Sequence, residues 1–247
     1  MTDQLGGVAR PQILLPGQSC VAEGPHDHSG MYVMHHALRR DLRAFTSAAR
    51  RTPLDQPGTW RALAKRWARF VGTLHHHHSA EDQHYWPILR DATSARGTAR
   101  DLVVLDDMAA EHAGIDPALA ACTAAFGSMQ DKPAEGQRSV LLERLSALDE
   151  NLDQHLTHEE TEALPLVQRV MTDEEFARVE DAISRSYPAR MIPFLVPWST
   201  YGLPPDVAST FMSSAGRAFV VLRALTAPWF ARGERRTFAY ADDVAGR

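Results

Sequence analysis

The sequence predicts an all-α protein, an up-down-up-down four-helix bundle with an additional C-terminal helical extension. Three observations carry that prediction. Apolar residues recur at alternating spacings of three and four along four long stretches, the period of one helix face. Clusters of Gly, Pro and small polar residues at 51–58, 94–99 and 127–136 separate those stretches. The two-residue alternation of a half-buried strand is absent, and long helices joined by short turns pack as antiparallel neighbours.

The first stretch shows its face in Met31, His35, Leu38, Leu42 and Phe45, with Ser29 placed to cap it. In the second, Trp60, Leu63, Trp67, Phe70, Leu74, His77, Glu81 and Ile88 keep the same period. The third carries Leu105, Met108, His112, Ile115, Leu119, Cys122 and Phe126, and the fourth Leu141, Leu145, Leu148, Leu152, His155, Glu159 and Leu166. Residues 172–186 read as a short charged helix, with Thr172 as cap and Glu175 at the capping-box position. Five prolines between 187 and 205 predict an irregular apolar crossing. A further helix is expected over 205–226, with Val207, Phe211, Ala215, Ala218, Leu222 and Leu225 on one side, followed by a polar, loosely held tail from 231. The chain thus divides into an N-terminal arm (1–28), the bundle (29–171) and the extension (172–247), which packs on the bundle or joins two copies as a homodimer.

With 247 residues, 44% of them hydrophobic and 23% charged, the chain can bury a sizeable core, and disorder is excluded. A formal net charge of -5 without a block of like charge argues against a broad grip on nucleic acid. No membrane span is expected, because the richest apolar stretch, AFVVLRALTAPWF, is broken by Arg223 and Pro228. The first twenty residues lack the basic start and apolar run of a signal peptide. Cys20 and Cys122 share no motif that would build a disulfide framework or a four-thiolate zinc site, so a reducing, cytoplasmic setting is expected.

The chemistry lies in the histidines, of which there are 12, none after His158. Near the middle of each bundle helix the apolar stripe is interrupted by a metal-ligand residue type: His35, His77 with Glu81, His112, and His155 with Glu159. A carboxylate in a bundle interior is costly unless it is paired, neutralised or bound to a cation. Residues four apart stand one turn above each other on one face, and both His–Glu pairs have that spacing. The pairs also belong to an internal repeat: HHSAEDQHYWP from His77 and HLTHEETEALP from His155 share His, three residues, Glu, an acid, four residues and Pro. Imidazoles and carboxylates projecting inward from bundle helices make a dinuclear site with the glutamates as bridges, iron the usual occupant and manganese or zinc the alternatives. Asp116, four residues after His112, is a further candidate, although Ile115 better continues the stripe.

Taken in order, HHALRRDL at 35–42, HHSAEDQHYWP at 77–87, EHAGID at 111–116 and HLTHEETEALP at 155–165 resemble the hemerythrin-like, or HHE cation-binding, domain family over roughly residues 26–170. The resemblance implies a four-helix bundle holding a non-heme di-iron centre that binds or reacts with dioxygen and related small species. It puts the ligands on His35, His77, Glu81, His112, His155 and Glu159. Oxygen-carrying members use two histidines four apart on the third helix, and here the second of those positions is Asp116. A carboxylate there would favour the ferric state and weaken reversible dioxygen binding. The expectation is therefore a redox-active protein acting on dioxygen, peroxide or nitric oxide. The alternative is a non-enzymatic sensor or metal-binding module that works through its C-terminal extension.

Several neighbours have competing readings. Within His75–His78 only His77 continues the stripe; the register of His78 with Asp82 is also four apart but breaks it. His36 competes with His35, and Glu160 with Glu159. His158 reads as a helix-surface residue or a hydrogen-bond donor behind the ligands, and His26 and His28 as part of an ordered arm. Tyr32 and Tyr85 lie at ligand level, where they pack as aromatics or offer a hydroxyl. Cys122 reads as core.

Overall fold

The computed structural model describes residues 8–242. Helix α1 (Ser29–Arg51) is the first rod of the bundle. The second is α2 (Pro57–Ala80), which passes through a single π turn (Glu81–Tyr85) into α3 (Trp86–Arg96). The third is α4 (Ala99–Asp131). The fourth repeats the construction of the second, with α5 (Glu135–His158), a π turn (Glu159–Ala163) and α6 (Leu164–Val170). Helix α1 packs on α2 and α5, and α4 packs on the same two, so the four rods form a closed square with consecutive rods as neighbours. No strand occurs among the described residues, where an isolated bridge joins Arg10 to Gly24.

The π turns have a cause in the sequence. Pro87 and Pro165 lack an N–H to give to the fourth residue back, and their rings crowd that residue's carbonyl. Each chain widens instead, so that Trp86 N–H bonds to Glu81 O and Leu164 N–H to Glu159 O. Helix α4 starts at a capping box in which Thr98 and Asp101 satisfy each other's backbone N–H groups. Helix α1 starts differently from expectation: Ser29 is its first residue, and Asp27 Oδ1 accepts the Ser29 N–H at 2.9 Å.

The stripes bury as the periodicity predicts, except that Met31 and Ile88 are half-buried and Leu89 is buried beside Ile88, and they do so in two apolar clusters rather than one. Leu38, Leu42, Phe45, Trp67, Phe70, Leu119, Phe126 and Leu145 belong to the first. Val33, Tyr85, Leu89, Leu105, Met108, Leu164 and Val167 belong to the second. His35, His77, Glu81, His112, His155 and Glu159 fall between these sets along every rod. Each fully buried Leu or Phe contributes roughly 1.5–3 kcal/mol, so the two clusters hold together a layer that is itself costly to bury.

The extension contains α7 (Asp173–Ser186), α8 (Ile192–Thr200), α9 (Pro205–Ser214) and α10 (Gly216–Thr237). Helix α7 carries the expected capping box of Thr172 and Glu175. The crossing expected to be irregular instead contains α8, because Pro193 sits in its first turn, where no N–H is needed. The helix expected over 205–226 is two, broken where Gly216 takes φ +81°, a backbone state that only glycine reaches without strain. Nor is the chain loose from 231: α10 runs to Thr237, and Phe238 is buried edge-on to Phe45 with ring centres 5.1 Å apart. The last five residues of that expected tail lie outside the described residues.

A buried ion network ties the extension down. Arg66 Nε donates to Glu234 at 2.7 Å and Arg66 Nη2 to Asp41 at 2.6 Å. Trp198 Nε1–H donates to the same Asp41 oxygen at 2.7 Å. Val221, Leu225 and Trp229 on α10 stay exposed. No helix among the described residues is long and apolar enough to cross a membrane.

Candidate metal centre

The two π turns deliver the carboxylates. Glu81 and Glu159 open them and are fully buried, each pointing into the layer between the apolar clusters. Glu81 Oε1 is 3.2 Å from His77 Nδ1 and its Oε2 3.6 Å from His112 Nε2. Glu159 Oε2 is 3.1 Å from His35 Nε2 and 4.0 Å from His155 Nε2. Each glutamate therefore reaches two histidines on different rods.

The candidate ligand atoms form two groups, one of His35, His77 and Glu159 and one of His78, His112 and His155, each compact enough to surround a single ion. His78 is the residue that the apolar stripe does not reveal. It is buried, with its ring stacked on His112 at 4.1 Å between centres, and so takes part in the layer beside His77. Asp116 is a correction. Ile115 holds the inward position at 2% exposure, whereas the Asp116 side chain is 59% exposed and lies 3.8 Å from His75, out of reach of the cluster.

Behind the imidazoles stands a row of acids. Asp82 Oδ1 accepts from His112 Nδ1 at 2.9 Å, Glu111 Oε2 from His155 Nδ1 at 2.9 Å, and Glu160 Oε1 from His35 Nδ1 at 2.8 Å. Asp82 and Glu160 are the acids that follow the glutamate in each copy of the repeat, so the repeat encodes a buried glutamate and an acid behind an imidazole together. Glu160 is itself held by Arg39 Nη1 at 2.6 Å and by the Ser19 N–H at 2.7 Å from the arm. A carboxylate on Nδ1 fixes the tautomer and leaves Nε2 as a bare lone pair facing the layer.

Those inward atoms lack partners. His35 Nε2, His77 Nε2, His78 Nε2 and both oxygens of Glu81 and Glu159 are buried without a hydrogen bond; the short His35–Glu159 approach is not aligned as one. So many orphaned acceptors in one place are unstable without a cation, and their chemistry suits a divalent or trivalent metal.

The electrostatics agree. Burial pushes the Glu81 carboxyl well above the ordinary range, and the neighbouring Glu159 pushes it further. Burial acts the same way on Glu159, but His35 overrides it and, with His155 and His77, pulls Glu159 down to about 2. Burial would lower His35, yet Glu159 and Glu160 raise it to about 9 by favouring its charged form. His77 and His78 are held well below their usual value by burial, with neighbouring imidazoles adding to the effect.

The remaining candidates serve elsewhere. His36 Nδ1 meets Pro16 O at 3.3 Å, and the Tyr32 hydroxyl accepts the Ala22 N–H at 2.8 Å. His26 stacks on Phe176 at 4.5 Å, and His158 Nδ1 shares Glu111 with His155 at 2.8 Å. Cys122 is fully buried in the first apolar cluster.

Comparison with known families matches residues 27–167 to the hemerythrin HHE cation-binding domain. Comparisons with curated proteins and with solved structures found no match.

Proposed function

The chain belongs to the hemerythrin HHE cation-binding domain family, and from that premise we propose that it is a redox-active non-heme di-iron protein acting on dioxygen, peroxide or nitric oxide. The observation that carries the reading is the pair of buried glutamates, each within 4.0 Å of histidines on two rods and each with both oxygens unpartnered. Bound there, iron would supply one-electron chemistry and a place for a small molecule to bind.

In this proposal Glu81 and Glu159 would be shared by the two irons, and His35, His77, His78, His112 and His155 would hold one or the other. Asp82, Glu111 and Glu160 keep three of those imidazoles in the tautomer that presents Nε2. With Asp116 outside the cluster, the argument against simple oxygen carriage moves to other residues. Glu81 and Glu159 as ligands, with Asp82, Glu111 and Glu160 behind them, would put negative charge around the site and would favour the higher oxidation state of bound iron over reversible dioxygen release.

Elemental analysis of protein from iron-supplemented cells, with an optical spectrum before and after peroxide, tests the reading. About two irons per chain and a near-ultraviolet charge-transfer band that peroxide perturbs are expected. Zinc alone, or a folded protein without metal, would overturn it.

A further inference from the structure

A cavity of about 220 Å³ opens beside the cluster, with His77, Ala80, Glu81 and Tyr85 on its buried side and Gly30, Glu180 and Ser184 at its exposed rim. One wall comes from α1 through Met31 and Met34. The opposite wall is α7, which presents Phe176, Val179 and Ile183 at the three-four spacing of a helix face. Helix α7 lies beyond the residues shared with the family. It is fixed there by its capping box, by the buried contacts of Phe176 and Val179 and by the ion pair of Arg96 with Glu175.

A site that served only diatomic molecules would need far less room. Water occupies about 30 Å³ in the liquid, and an apolar cavity of about 150 Å³ holds benzene. The present cavity matches one aromatic ring with one or two small substituents. Its lining is suited to such a ring, with the faces and edges of Phe176, Tyr85 and Tyr187 and the polarizable thioethers of Met31 and Met34. The acids toward its outer end, Asp27 and Glu180, repel anions.

We propose that this pocket binds a neutral single-ring aromatic molecule, of the size and polarity of a substituted phenol, against the His77 and Glu81 edge of the metal centre. The proposal rests on the metal reading only for the ligand's relation to the centre; the pocket itself is built by α1, α2 and α7. It makes the protein the holder of an organic molecule beside its metal pair.

Calorimetric titration of the full-length, metal-loaded protein with 4-methylphenol, and separately with the anion 4-methylbenzoate, tests this. The neutral ring should bind saturably and the anion about tenfold more weakly or worse. Ile183→Trp should weaken the phenol about tenfold or more. Gly30→Trp fills the pocket from the other wall, where a Cβ meets nothing within 4 Å, and should weaken binding in the same way even if the first variant folds poorly. No saturable binding, or undiminished binding in folded Gly30→Trp protein, would overturn the proposal. Metal content measured on the same samples keeps the two readings apart. Metal without phenol binding removes the pocket proposal alone, and phenol binding without metal removes the di-iron reading alone.

Discussion

His112 Nε2 lies 3.2 Å from His155 Nε2, while the Nδ1 of each ring is turned to a carboxylate, Asp82 for His112 and Glu111 for His155. Carboxylates accept and do not donate, so both Nδ1 atoms carry the proton. The two Nε2 lone pairs then face each other, an arrangement that a shared cation makes favourable. Glu111 is ionised, its carboxyl held below the ordinary range by His155 and His158 against the effect of burial.

The backing acid should therefore matter to the metal although it does not touch it. Glu111→Gln keeps the shape but lets the amide donate, which weakens the tautomer lock on His155. Metal affinity, read by competition with a chelator, should fall about tenfold to a hundredfold. Asp116→Asn, by contrast, should leave affinity unchanged, because that side chain sits on the solvent face beside His75. A loss in Asp116→Asn equal to that in Glu111→Gln would refute the assignment of both residues.

His78 makes a sharper test of which neighbours point inward. It is buried against His112 and His155, whereas His75 is exposed. His78→Ala should lower the metal content from about two ions per chain toward about one, since one ligand group loses a member. His75→Ala should hold the full complement. Elemental analysis of both variants decides, and equal loss in the two would mean that the histidine run acts only as a surface chelator.

Much of this is legible in the sequence. The apolar stripes run through His35, His77, His112 and His155, and burial follows them except at Met31 and Ile88, which are half-buried. The repeat located Glu81 and Glu159 at equivalent places and marked the acid after each. What spacing could not give was the π turn. Nor could it give the burial of both His77 and His78, adjacent residues of α2 just before that turn, of which the stripe claims only one. Asp82 was legible only as a partner for His78 in another register; its bond to His112 depends on how α4 is rotated. In the extension, the prolines masked α8, since a proline in the first turn of a helix and one that breaks it look alike in sequence.

The extension is anchored by charge as well as by apolar contact. Arg66 is buried between Asp41 and Glu234 and lies over the Phe194 ring at 5.1 Å. Arg66 and Arg40 hold Asp41 below the ordinary range against burial, and burial still leaves Glu234 raised. Arg66→Met would strand Glu234 and leave Asp41 to Arg40 and the Trp198 indole N–H, and should cost about 3–5 kcal/mol in urea unfolding. Adding Asp41→Asn and Glu234→Gln should recover part of that loss. A change under about 1 kcal/mol in the single variant would mean that the network is solvated and holds nothing in place.

Acid should destabilise the protein through His28. Burial lowers its pKa to about 4, with the charge of His26 acting in the same direction, whereas the unfolded chain has about 6.5. Between those values the unfolded state takes up a proton that the folded state refuses. The stability present above pH 6.5 is therefore lost as pH falls through the window and levels off below about 4, by at most about 3 kcal/mol. Metal-stripped His28→Gln should lose less stability than metal-stripped wild type between pH 7 and 4.5 in urea titrations. Parallel losses would remove His28 as the source.

Glu81 should change the sign of its contribution when metal binds. Without a cation its two oxygens are buried and unpartnered, and its ionised form is opposed by burial and by Glu159. Glu81→Gln then relieves an unfavourable charge, and the metal-stripped variant should be as stable as stripped wild type or more so, by about 1–2 kcal/mol. With metal present the same carboxylate would be a ligand, and an amide is a far poorer one. The loaded variant should hold less metal and melt several degrees below loaded wild type. Thermal melts of both proteins, with and without chelator, make the comparison. A variant that is destabilised equally in both states would mean that Glu81 serves packing and not the metal.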